Sequence, residues 1–282
     1  MTTESPFNKL ALAITFSPNS PALLQEAKRL KEVLRSGLVL IHVGNRTSEL
    51  EKQLNEIIQN ASLGDASVKL IWEKGGPANV VIKKCKEENV DLLLIGALEK
   101  ETMIKYYLGS VARTLMRRAP CSVLIFTHPS EQPSVFKKIF VSMDYSSASE
   151  ATIKIAHALA LLEQTRELTL VRDFNVPGLA MTLLESGSMD ETETARQKWQ
   201  EEEKIKLELY ARELNLQGVA VNTCTLYGKE GWECAQFAKG QRADLLVLTS
   251  PVQKMAFLDR LFTHHQEFVF QRLPTNTLLI RK

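Results

Sequence analysis

Val90–Gly96 reads VDLLLIG, and Ala243–Thr249 reads ADLLVLT. Each is a polar turn followed by a strand-length apolar run, too short for a helix of ordinary length. The likeness between them extends in both directions. Upstream, Leu10–Thr15 (LALAIT) is answered by Lys138–Asp144 (KIFVSMD), and Leu38–Val43 (LVLIHV) by Leu168–Asp173 (LTLVRD). Downstream, APCSVLIF from Ala119 is answered by LPTNTLLI from Leu273. Thr15 to Asp144 is 129 positions and His42 to Arg172 is 130, whereas Asp91 to Asp244 is 153 and Pro120 to Pro274 is 154. The chain is therefore one plan written twice, with roughly 23 extra residues in the second copy near Phe174–Lys204.

Between the apolar runs lie helix-length segments. Leu23, Ala27, Leu30 and Leu34 recur at helical spacing, as do Ile153, Ala156 and Ala160. Ser20 with Pro21 reads as one helix start, and the S-x-x-E of Ser147 and Glu150 as another. Strands alternating with helices predict βαβ units. The expected fold is α/β: two tandem doubly wound parallel sheets, each of about five strands and four helices. The first domain is expected over residues 1–130 and the second over 131–282, joined by the Pro-containing linker Thr127–Ser134 (THPSEQPS). The insert is expected to hold a charged helix, Thr192–Leu214, with Glu201, Glu202 and Glu203 on a solvated face. In doubly wound sheets ligands bind beyond the carboxyl ends of the strands, where the strand order reverses.

Composition narrows the function classes. Of 282 residues, 44% are hydrophobic and 24% charged, and the formal net charge is +2. That balance lacks the basic footprint of a nucleic-acid binder. MTTESPFNKL has neither the basic flank nor the apolar core of a signal peptide, and no run approaches the ~18 apolar residues of a membrane span. Cys85, Cys121, Cys224 and Cys234 form no CxxC pair, so reduced thiols in a cytoplasmic protein are expected. No G-x-S-x-G, H-E-x-x-H or P-loop motif occurs. His264-His265 reads as solvated or capping rather than as a zinc site, and His42 and His157 as packing residues.

The segment richest in chemistry is Asp91–Val111, DLLLIGALEKETMIKYYLGSV. A strand ends at Gly96, a loop carrying Lys100 and Lys105 follows, and Gly109-Ser110 opens a helix whose N-terminus suits phosphate. The same local pattern fits a plain strand-to-helix turn with Ser110 as cap.

Gly96, Gly109-Ser110 and the following VARTLMRRAPCSVLIF, together with EKGGPANVVIKKCKEENVDLLLIG over Glu73–Gly96, resemble the carboxyl half of a universal stress protein domain. The resemblance covers almost the whole chain as two tandem domains. It implies a five-stranded parallel, Rossmann-like sheet and, in one branch of the family, ATP held by a G-2x-G-9x-G-S/T loop plus an aspartate after strand one. On that pattern Gly96 and Gly109 would let backbone approach the phosphates, Ser110 and Val111 would donate to them, and Val43 would pack on adenine. Two positions depart: Thr15 replaces the aspartate, and Glu99 replaces the middle glycine. A carboxylate beside a triphosphate costs ~1 kcal/mol or more when partly desolvated, which implies weakened nucleotide binding unless Glu99 turns to solvent or helps hold Mg2+ on the phosphates. The second half keeps Asp144 but carries Thr249, Val252 and Phe262 at the loop glycines, and Pro251 removes an N–H. That half is expected to bind no nucleotide, with Arg172, Asp173 and Trp232 candidates to line some other pocket.

Three functions follow. The first is a non-enzymatic stress-response protein with at most one ATP site, in the first domain. The second is a nucleotide-free module for an unidentified protein partner. The third is a slow ATPase with Glu99 as its base. The family's habit of pairing last strands predicts that Val123–Phe126 and Thr277–Ile280 join the halves as an internal pseudo-dimer, and any homodimer is expected to be twofold.

Overall fold

The structure, a computed structural model, describes residues 4–64, 67–100, 103–107, 109–175, 189–250 and 273–281. The first half runs β1 (Lys9–Ile14), α1 (Ser20–Leu34), β2 (Gly37–Val43), α2 (Ser48–Asn60), β3 (Val68–Glu73), α3 (Pro77–Glu87) and β4 (Leu92–Gly96). A short pair, β5 (Leu98–Lys100) and β6 (Met103–Tyr107), precedes α4 (Ser110–Arg118) and β7 (Ser122–Phe126). The second half runs β8 (Lys138–Ser142), α5 (Ser147–Leu162), β9 (Glu167–Phe174), α6 (Met189–Glu213), β10 (Ala220–Tyr227), α7 (Trp232–Gly240), β11 (Leu245–Thr249) and β12 (Asn276–Ile280).

Ten of the described strands form one sheet in the order β10-β9-β8-β11-β12-β7-β4-β1-β2-β3, and β5 and β6 pair separately. Within each half all neighbours are parallel, and the order reverses between β1 and β4 and again between β8 and β11. The halves meet where β12 runs antiparallel to β7, with Thr277 opposite Ile125, Leu278 opposite Leu124 and Leu279 opposite Val123. The predicted joining of the last strands is thus present within the chain.

Both sheet faces are covered, which is why the strands read as unbroken apolar runs. Leu10, Leu12, Ile14, Leu38, Leu40, Leu92 and Leu94 turn to the face of α1, α2, α5 and α6. The alternate residues Ala11, Val39, Ile41, Leu93 and Ile95 turn to the face of α3, α4 and α7. The expected helix starts shift by one residue. Asn19 takes the N-cap position of α1 without a side-chain capping bond, and the Ser20 hydroxyl donates to the Thr15 carbonyl. Ser146, not Ser147, caps α5, accepting from the Ser149 N–H. The insert is helical as expected, but Glu203 is not solvated: Arg172 Nε lies 3.3 Å from its carboxylate.

Charged groups also fasten the halves together. Arg29 of α1 places Nη1 2.6 and 2.7 Å from the two oxygens of Glu163, the C-cap residue of α5, and Nε 3.4 Å from Glu26. Glu163 is fully buried, and its carboxylate also accepts the Phe136 N–H. Glu26 accepts the Ser130 N–H, so the linker is held by the same cluster. Burial raises the Glu26 carboxyl above its ordinary value, against the pull of Arg29. On the opposite face Arg281 caps the C-terminal end of α4. Its guanidinium donates to the carbonyls of Met116, Arg117 and Ala119, while also reaching Ser250 Oγ at 3.1 Å.

Removing Arg29 would strand two buried carboxylates. Arg29→Ala is expected to lower the unfolding free energy by about 3–5 kcal/mol in urea titrations. Arg29→Met with Glu26→Gln and Glu163→Gln, which removes the charges together, is expected to recover most of that loss. A single mutant within about 1 kcal/mol of the parent would show the cluster to be dispensable.

Candidate functional site

The strand order reverses between β1 and β4, and the carboxyl ends of the strands at such a reversal are the position these sheets use for ligands. Half-buried Ala13 of β1, Val43 of β2, Ala78 of α3 and Ala112 of α4 line the apolar layer on one face there. Val43 alternates with Val39 and Ile41 and so faces this layer. Gly109 is the N-cap of α4 with extended backbone (φ −62°, ψ 166°), and no side chain caps the helix. Ser110 is exposed and Val111 is 40% exposed. Val43 thus ends β2, and Gly109, Ser110 and Val111 open α4.

Three predicted positions differ. Thr15 lies one residue past β1, exposed, with its carbonyl taken by Ser20. Glu99 lies not in an open loop but in a hairpin, since β5 pairs antiparallel with β6 and Glu99 stands opposite Tyr106. Gly96 has the parity of Leu92 and Leu94, so its missing side chain faces α1. A Cβ there would come within 2.9 Å of Leu23 Cδ1. The glycine serves helix packing on the face opposite Val43.

The second half shows the same contact resolved otherwise. Thr249 ends β11 as Gly96 ends β4, and Thr152 lies 129 positions after Leu23, as Asp144 does after Thr15. Thr249 Oγ1 bonds Thr152 Oγ1 at 2.9 Å, replacing a glycine–leucine contact with two hydroxyls. Asp144 is spent on its own turn, accepting from the Ser146 N–H at 3.0 Å and the Ser146 hydroxyl at 2.6 Å. Asp173 is buried and caps α7 by accepting the Gly231 N–H at 2.5 Å and the Cys234 N–H at 3.3 Å. Arg172 is engaged by Glu203 and by the Asp173 carbonyl at 2.7 Å. Arg172 and Asp173 are thus engaged within the protein, and Trp232 is half-buried. Pro251, Val252, Phe262 and His264-His265 lie outside the described residues. His42 packs between Phe16 and Trp72, with ring centroids at 4.9 and 4.4 Å, and its Nδ1 lies 3.0 Å from the Ile14 carbonyl oxygen.

Comparison with known proteins agrees with this architecture. The family model described as the universal stress protein family matches residues 44–127 and again 136–281. The chain belongs to the universal stress protein family. Proteins of Staphylococcus aureus named as universal stress proteins are 32% identical over 90 residues, 32% of this chain and 52% of theirs. The match thus spans about half the length of those relatives. A universal stress protein of Archaeoglobus fulgidus is similar along 100% of this chain and 99% of its own, with a TM-score of 0.66 at 16% identity. One from Pseudomonas aeruginosa covers 98% and 93%, with a TM-score of 0.70 at 17% identity. These likenesses establish the fold. The first family match begins just past β2, although β1 and β2 hold the same sheet positions as β8 and β9. Among the described residues of this universal stress protein, no helix is long and apolar enough to cross a membrane, and no His/Cys/Asp/Glu cluster fit for a metal occurs.

Two substitutions check these local readings. Gly96→Ala is expected to cost about 1–3 kcal/mol of stability by overpacking Leu23, and less in a Leu23→Ala background, where the contact is gone. Burial holds the Asp173 carboxyl above its ordinary 3.8, although the Cys234 and Gly231 N–H groups pull it down. The folded state therefore holds that proton more tightly, and this contribution to stability fades as pH rises through the raised value. Asp173→Asn, which keeps an acceptor without the charge, should gain on the parent as pH climbs from below 4 toward neutrality. Urea titrations across that range read the difference, and a gap that narrows with pH would refute the account.

Proposed function

We propose that this protein is a non-catalytic, cytoplasmic stress-response protein with one adenine-nucleotide site, in its first half. The supporting observation is the conjunction at the β1/β4 reversal. Gly109 opens α4, whose N-terminus no side chain caps and whose Ala112 packs in the same half-buried apolar layer as Ala13, Val43 and Ala78. The helix end suits phosphate, and an apolar strand-end wall suits a base. ATP would be held by the backbone of Gly109, Ser110 and Val111, with adenine against Val43, and any Mg2+ would come with its phosphates. Thr15 supplies no carboxylate for the ribose, so affinity is expected to fall below that of relatives with the complete motif. In the second half Asp144 is engaged in its own turn and Asp173 holds the N-terminus of α7, while the segment corresponding to α4 lies outside the described residues.

A second reading is a nucleotide-free module for a protein partner. The β5–β6 hairpin supports it, standing where a phosphate-cradling loop would otherwise run. A slow ATPase ranks below both.

Titration calorimetry with ATP separates the readings. Saturable heat is expected, weakened about tenfold or more by Gly109→Leu without loss of folded stability. Glu99→Gly is expected to tighten binding by about fivefold, from ~1 kcal/mol of relieved repulsion. Heat that is absent, or indifferent to Gly109→Leu, would favour the nucleotide-free module. Phosphate release above a Glu99→Gln control would restore the ATPase.

A further inference from the structure

The helix that the second copy adds, α6, offers a surface whose sequence is complementary to itself. Its inner side is set by Leu207, fully buried, and by Glu203 against Arg172. At 100° per residue, Trp199, Glu202, Lys206 and Leu209 fall together on another side, at the 3-and-4 spacing of a coiled-coil seam. Trp199 is 45% and Leu209 52% exposed, and neighbouring Ile205 is 50% exposed. Beside this stripe lies an open groove of about 520 Å³, lined by Tyr145, Ile205, Lys206, Leu209 and Tyr210 among others. Ile205 and Leu209 line that groove together with Glu202 and Glu213, and Trp199 is exposed on the same stripe as Leu209.

The order along the stripe identifies the occupant. It reads apolar, acid, base, apolar. Laid antiparallel on a copy of itself, Trp199 meets Leu209 of the partner subunit, and Glu202 meets Lys206 of the partner subunit. The twofold then repeats both pairs, because 199 and 209 have the same sum as 202 and 206. Every position finds a complementary one, as an isologous contact requires. A parallel copy would set Glu202 against Glu202 and Lys206 against Lys206. Within one chain these charges have only loose engagements: Lys198 is 4.0 Å from Glu202, and Lys206 lies 4.0 Å from the centre of the Tyr145 ring.

We infer that α6 is a dimerisation helix, pairing antiparallel with α6 of a second copy about a twofold axis and seating Trp199 of each copy against Leu209 of the other. This contact does not depend on nucleotide. It differs from last-strand pairing, which the chain satisfies internally.

Sedimentation velocity on the full chain, over a concentration series without nucleotide, tests it. A dimer is expected, and Trp199→Ala or Leu209→Ala should raise its dissociation constant about tenfold or more. Glu202→Lys and Lys206→Glu should each weaken it comparably by placing like charges across the twofold. Glu202→Lys with Lys206→Glu in one chain should restore it, since the swapped pair is complementary again. Thermal melts of each variant monitor its fold. A monomeric parent would overturn the inference, whatever else covers α6, and so would a dimer indifferent to these changes or a double swap that stays as weak as the single ones.

Discussion

The antiparallel meeting of β7 and β12 is the constraint on which the molecule is built. A doubly wound sheet ends in strands with unpaired N–H and C=O groups, and its last strand in each half is wholly apolar at the core: Val123, Leu124 and Ile125, and Leu278, Leu279 and Ile280. Such edges invite uncontrolled pairing. Turning one half to face the other closes both edges at once and makes each half-sheet the flank of its twin. The helix layers then merge across the seam, which brings α1 against α5 and creates the buried setting of Arg29, Glu26 and Glu163. Glu163 pays for its burial with two oxygens on Arg29 and a backbone N–H.

The same duplication leaves two topological switch points with different fates. In the first half the strand ends stay small and the α4 N-terminus lacks a side-chain cap. In the second half polar side chains have turned inward: Thr249 onto Thr152, Asp144 onto Ser146, and Asp173 onto the N-terminus of α7. A helix N-terminus offers the same partial positive charge to a buried carboxylate as to a phosphate. Asp173 therefore satisfies the N-terminus of α7, whereas α3, the counterpart of α7 in the first half, has no side-chain cap. The two copies share a fold while differing in what satisfies the helix ends.

Much of this was legible from the residues. The repeat, the parallel halves and the joining strands follow from apolar runs that alternate with helix-spaced segments and from the doubled DLL motifs at Asp91 and Asp244. Val43 could be assigned a face because β2 alternates strictly. The role of Gly96 was legible too, had parity been weighed above motif spacing: it shares the side of Leu92 and Leu94, which face α1. Other features depend on partners remote in sequence. Nothing local to Glu163 announces Arg29, 134 residues away, and nothing near Asp173 indicates that Gly231 will present an N–H to it. The β5–β6 hairpin escaped notice because LEK and MIKYY are short and flanked by charge, the composition of a loop. The one-residue shifts at Asn19 and Ser146 reflect runs of adjacent capping residues, among which only tertiary context chooses.

The Arg29 cluster and the β7–β12 seam together bear on how divisible the chain is. Severed within the linker, the first half would keep Arg29 and Glu26 but lose Glu163, and the second would hold Glu163 with no cation to answer it. Each piece would also bare the edge of its last strand, SVLIF or NTLLI, which its twin now covers. The tandem arrangement is accordingly not two portable modules on a string. Its duplicated halves share one sheet and one buried charge cluster.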